Sequence, residues 1–254
     1  MKKTIFLSHI SEEGRLGTLF KDRLEKDFLS LIDVFVSSDA RSIPPGDAWL
    51  KAVDNNLNEA AALIVLASPQ SVTRPWITFE AGAGWAKHVP TMLVCHSGMA
   101  PGSLPLPLGQ LQAFAASDIV RLKAMYQVIA GVLGSATPEP DLSPFIEAIR
   151  TFEHEHTEER DILGALRIIK AAEPKVVQFL RTQQPHYPCH LQQMAEHVVR
   201  KMEPGFDQLK QRGLLTWSYS MKGLFFGPNG GNSGDVTLTM MPAVVSALQR
   251  PEFA

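Results

Sequence analysis

Ala60-Ala61-Ala62-Leu63-Ile64-Val65-Leu66-Ala67-Ser68-Pro69-Gln70-Ser71-Val72-Thr73-Arg74-Pro75-Trp76-Ile77-Thr78-Phe79-Glu80 changes periodicity halfway along its length. Its first part, Ala61–Ala67, is an unbroken apolar run, as expected of a β-strand covered on both faces. Ser68-Pro69 breaks the run as a turn. A helix follows, in which Trp76 and Glu80 stand at i and i+4 and so share one face. That face lies just beyond the carboxyl end of a buried strand, where open α/β sheets bind their ligands.

The same alternation extends on both sides. Thr4–Leu7, Leu31–Val36 and Thr91–Cys95 read as further short strands. Gly14–Phe28 carries Leu16, Leu19, Phe20, Leu24 and Phe28 at helical spacing. Ala48–Leu57 reads as a helix with Trp49, Val53 and Leu57 on one face, and Lys123–Leu133 as another. Repeated strand–helix alternation predicts an α/β domain over residues 1–134, with a parallel sheet between two layers of helices.

Ser135-Ala-Thr-Pro-Glu-Pro-Asp-Leu-Ser-Pro144 interrupts the alternation, and residues 135–171 read as a linker and connecting helix. Ser143-Pro144 supplies a helix cap and a first helical position. Within that helix His154-Glu155-His156 has the i, i+2 spacing of a solvated acidic face rather than of metal ligands, and no metal is expected. In residues 172–254 the pattern predicts helices at Pro174–Thr182, Leu191–Val198 and Pro204–Arg212. Alternating segments Leu214–Met221 and Asp235–Met240 follow, joined by the loop Gly227–Gly234. Three helices and a hairpin resemble a winged-helix domain, a smaller α+β unit.

Bulk properties set the limits. The chain has 254 residues, 45% of them hydrophobic, enough for a core in each part. A formal net charge of -2 gives no whole-chain attraction to nucleic acid or an anionic membrane. Two distant cysteines, Cys95 and Cys189, fit a reduced cytoplasmic protein. No apolar run approaches the roughly 20 residues of a membrane span, so no membrane partner is expected.

Three pieces stand in a fixed order: Phe6-Leu7-Ser8-His9, the loop Asp39-x-Arg41-x-Ile43-x-x-Gly46-Asp47-x-Trp49, and Ser68-Pro69 followed by Trp76-x-x-x-Glu80. Together they resemble the Toll/interleukin-1 receptor (TIR) domain family, bacterial members above all, across about residues 1–134. Gly14 and Phe79 depart from the family pattern, which often has an acidic residue and a Cys at those places. The resemblance implies a flavodoxin-like fold and, in many bacterial and plant members, cleavage of the nicotinamide–ribose bond of NAD. Enzymatic members carry a Glu where Glu80 stands. On this resemblance NAD is a substrate and no cofactor is needed.

The chemistry suits a single carboxylate. The nicotinamide of NAD is already cationic and leaves without a general acid, unlike the leaving group of an ordinary glycoside. What remains is an oxocarbenium-like ribose, which Glu80 is placed to stabilise. Ser8 and His9 are candidates for holding ribose or phosphate oxygens, and Arg41 for a phosphate. Trp49 and Trp76 are candidate aromatic walls for the cationic ring, with Ile43, Asp47 and Ser68 completing the binding set. The Gly-rich dinucleotide fingerprint is absent, which argues against hydride transfer.

The leading expectation is thus an NAD glycohydrolase or cyclase of bacterial antiphage defence. It would be activated by homo-oligomeric assembly through the TIR domain, with the C-terminal domain sensing a protein or nucleic-acid trigger. One alternative is a non-enzymatic TIR adaptor. Another is a winged-helix regulator that uses Lys210, Arg212, Arg200 and Lys201 against nucleic acid.

Overall fold

The computed structural model describes residues 2–36, 55–224 and 232–253. They form two compact units, residues 1–155 and 156–254.

In the N-terminal unit, β1 (Lys3–Ser8), β2 (Ile32–Val36), β3 (Ala60–Ala67), β4 (Thr91–Cys95) and β5 (Gln112–Ala115) form one sheet in the order β2-β1-β3-β4-β5. Every neighbouring pair is parallel. This is the flavodoxin-like order, and the sequence correctly anticipates both the alternation and the parallel pairing. It misses β5, which is short and emerges from the proline-rich run Pro101–Pro107 without a long apolar signal. Ala62–Ala67 are fully buried, as a central strand packed on both faces requires.

The helices α1 (Gly14–Asp27), α2 (Pro75–Ala86) and α3 (Ile119–Leu133) follow β1, β3 and β5. Leu16, Phe20 and Leu24 of α1 pack with Leu122, Met125 and Ile129 of α3 on one face of the sheet. Ile77 and Ala81 of α2 pack with Phe6, Leu63, Val65 and Leu93 on the other. The two clusters are the two helix layers of a doubly wound sheet. Most of the expected helix Ala48–Leu57 lies outside the described residues; residues 55–59 are helical.

Helix α4 spans Ser143–Ala172. The Asp141 side chain accepts from the Ser143 N–H at 2.9 Å, so the carboxylate two residues before the expected cap satisfies this helix end. Leu142, Phe145, Ile146, Ile149 and Phe152 join the N-terminal core, and Ile162, Ala165, Leu166 and Ile169 the C-terminal one. The proline-rich segment is therefore followed by chain that belongs to a core, not by a free spacer. His156, expected on a solvated face, is buried.

The C-terminal unit holds α5 (Pro174–Leu180), β6 (Pro188–Ala195), α6 (Glu196–Gln211), β7 (Leu215–Leu224), β8 (Asn232–Met240) and α7 (Pro242–Leu248). Its sheet is antiparallel in the order β6-β8-β7. Two readings are corrected. The expected helix Leu191–Val198 is mostly strand β6, in which Cys189 and Leu191 alternate inward against His190 and Gln192. The expected separate helix from Pro204 is the second half of one helix, α6. Val199, Met202, Phe206 and Leu209 form one buried stripe running straight through Pro204, and burial of that stripe outweighs the hydrogen bond the proline removes. A strand thus separates α5 from α6, and the expected run of three helices is not formed.

Candidate active site

The sheet order reverses between β1 and β3, and open α/β sheets bind ligands at such a point, beyond the carboxyl ends of their strands. Ser8 ends β1, Ser68 follows β3 and His96 follows β4. Ser8 pairs in register with Val65, and Ala67 with Cys95, which brings the three loop entrances side by side.

Glu80 reaches this edge from α2. Pro75 starts the helix, where its missing N–H costs nothing. Ile77, Glu80, Ala81 and Gly84 then form the buried stripe at i, i+3, i+4 and i+7. A carboxylate in the middle of such a stripe is costly unless it is hydrogen-bonded, and Glu80 is 0% exposed. The Ser8 hydroxyl donates to Oε2 at 2.5 Å, and the Trp76 indole N–H donates to Oε1 at 2.8 Å. Burial outweighs both bonds and pushes the Glu80 pKa up to about 7. Trp76 also stacks on Phe79, ring centres 5.1 Å apart. Ser8, Trp76 and Glu80, far apart in sequence, therefore form one contact set.

His9 is buried beside them. Its Nδ1 donates to the Ile10 carbonyl at 2.6 Å, and its ring lies against Gly17 of α1. A Cβ at Gly17 would stand 2.8 Å from His9 Nε2, so this close approach requires glycine. Ser68 points inward. Its hydroxyl donates to Glu13 Oε1 at 2.6 Å and accepts from the Ser71 N–H at 3.1 Å. Arg41, Ile43, Asp47 and Trp49 lie outside the described residues.

The sequence reading missed Glu13 and His96. Glu13 is fully buried at the start of α1. Its Oε2 accepts from the Ile10 N–H at 3.2 Å, and its Oε1 lies 3.2 Å from His96 Nε2. Burial alone would raise its pKa, but the His96 hydrogen bond and charge, with Ser68 and Ile10, outweigh this and hold it below the usual carboxylate range. His96 directly follows β4, as Ser68 follows β3, so its signal was present; Glu13 lies five residues beyond the end of β1 and carried no such signal. Gly14, the departure noted above, directly follows the buried acidic residue Glu13.

A cavity of about 400 Å³ lies beside α2, lined by Thr78, Ala81, Gly82, Trp85 and Leu108. Among the described residues there is no cluster of His, Cys, Asp and Glu suited to hold a metal, and no helix is long and apolar enough to cross a membrane. In the C-terminal unit, Arg212 pairs with Asp161 and Arg200 with Glu196, so half of the basic patch named above is neutralised internally.

No curated protein matches the chain. A family model described as TIR domain matches residues 5–124. Residues 5–124, which carry Ser8, Glu13, Ser68, Trp76, Glu80 and His96 on a five-stranded parallel sheet, are thus similar to the TIR domain family.

Proposed function

We propose that the N-terminal unit cleaves the nicotinamide–ribose bond of NAD, with Glu80 as the catalytic residue. One observation carries the reading. A fully buried carboxylate stands at the topological switch point, held among the described residues by a serine hydroxyl and an indole N–H. An ion-pair network would fix a structural carboxylate, whereas two neutral donors leave its charge available to a cation. A pKa of about 7 leaves Glu80 partly protonated near neutrality, and a cationic nicotinamide ring alongside favours the ionised form. As the bond to nicotinamide breaks, positive charge moves onto the ribose, and the ionised Glu80 stabilises it at close range in a dry site. Ribose hydroxyls take over as donors where Trp76 and Ser8 now donate. Because Glu80 is covered, NAD reaches it only when its covering groups move, and assembly of several copies supplies such a step. Arg41, Ile43, Asp47 and Trp49 stay candidates for the nucleotide, and Ser68, turned toward Glu13, supports the floor of the pocket.

The C-terminal unit is proposed as the sensing or assembly module, and defence against phage as the setting. The internal pairing of Arg200 and Arg212 weighs against a nucleic-acid groove. The test is nicotinamide release from NAD by the full chain at high protein concentration, wild type against Glu80→Gln. Release by wild type and loss of it in the variant is expected. Equal release by both, or none by wild type under every assembling condition, sinks the proposal and leaves a non-enzymatic adaptor.

A further inference from the structure

Glu13 touches three loops at once. It accepts from the Ile10 backbone after β1, from the Ser68 hydroxyl after β3, and faces His96 after β4. All three partners and Glu13 itself are buried. His96 is itself steadied, since its ring packs 5.9 Å from that of Phe152 and the adjoining Ser97 N–H donates to Glu153 at 3.0 Å. Ile10 lies two residues after Ser8, whose hydroxyl donates to Glu80.

We propose that Glu13 is a positioning residue for the site: it fixes the loop after β1 and thereby aims the Ser8 hydroxyl at Glu80. It touches neither Glu80 nor any group placed to meet substrate, so its effect passes through the backbone from Ile10 to Ser8. The inference rests on Glu80 being the group that matters, as proposed above. A carboxylate suits this place because two donors and the His96 ring converge on it and it carries acceptors only. A glutamine there turns its N–H pair either toward the Ile10 N–H, which loses that bond, or toward Ser68 and His96, where the Ser68 bond must reverse and the carboxylate charge beside His96 is gone. The Ser8 bond favours ionised Glu80, so slackening it favours the protonated form.

The experiment titrates Glu80 itself by its side-chain carbon resonance in the ¹³C-labelled full chain, assigned by its absence in Glu80→Gln. Wild type, Ser8→Ala, Glu13→Gln and the double variant are compared. Ser8→Ala is expected to raise the Glu80 midpoint by about one pH unit, roughly tenfold less ionised carboxylate at neutral pH. Glu13→Gln should raise it in the same direction, and in the Ser8→Ala background should add nothing, because its route runs through the missing hydroxyl. An unchanged midpoint in Glu13→Gln, or additive shifts in the double variant, overturns the proposal. If Glu13→Gln fails to fold, Ser68→Ala removes one of Glu13's donors with little change in volume. A small upward shift is then expected, and no shift overturns the idea. The resonance reports without turnover, so a protein that shows these shifts yet never releases nicotinamide refutes the proposed function and leaves the role of Glu13 standing.

Discussion

Glu80 should make the N-terminal unit lose stability as pH rises, the reverse of the usual behaviour of a carboxylate. A group whose folded-state pKa is raised stabilises the fold fully below its unfolded value, and that contribution is lost as pH climbs through the folded value. Here the window runs from the ordinary 4.5 to about 7. A shift of about 2.5 units at 1.36 kcal/mol each is about 3 kcal/mol, lost by about pH 8. Burial is the cause, and the Ser8 and Trp76 bonds keep the loss from being larger. Glu80→Gln is the proper reference, because its amide oxygen accepts from Trp76 while its N–H pair donates to the Ser8 oxygen, and it never ionises. The assay is urea unfolding at several pH values, followed by pulsed hydrogen exchange in β1 and β3 peptides so that the N-terminal unit is read alone. Wild type should weaken against Glu80→Gln by about 3 kcal/mol between pH 4.5 and pH 8. Parallel pH profiles for the two proteins would refute the reasoning, because they would mean that Glu80 is solvated in solution.

Glu13 predicts the opposite sign: its lowered pKa stabilises the fold above the ordinary carboxylate range and is lost on acidification, so Glu13→Gln should flatten the acid side of the same stability curve. Trp76→Phe keeps a ring but removes the donor to Glu80, and the acid limb of the pH–rate profile for nicotinamide release should move up by about one unit. Two glycines on α1 should respond in opposite directions. Gly17→Ala drives a Cβ to 2.8 Å from His9 Nε2 and should cost about 1–3 kcal/mol, whereas Gly14→Ala meets nothing within 4 Å and should stabilise by about 0.5–1 kcal/mol in thermal unfolding. Gly205→Ala places a Cβ 2.7 Å from the Ala165 carbonyl oxygen and should lower the unfolding temperature of the C-terminal unit, a loss of about 1–3 kcal/mol.

The N-terminal fold was legible because its elements announce themselves locally. Ala60–Ala67 is apolar without a break, and α1 keeps one stripe of Leu16, Phe20 and Leu24. The C-terminal unit was less so. Pro204 reads as a helix start, and only the buried stripe from Val199 to Leu209 shows the helix passing through it. Leu191-Gln192-Gln193-Met194-Ala195 suits either a helix or an edge strand, and pairing with β8 decides for the strand.

The sequence by itself determined the parallel α/β domain and singled out Ser8, Trp76 and Glu80, because strand and helix periodicities are local and their carboxyl-end loops fall at one edge. Only the tertiary structure decided that Glu80 is wholly buried, with its pKa pushed up to about 7, and that Ser8 and Trp76 donate to it. It also decided that Glu13 and His96 stand behind the site. Burial and hydrogen-bond partnership are properties of what surrounds a side chain, and here those surroundings come from strands and loops up to 83 residues away in the chain, from Glu13 to His96.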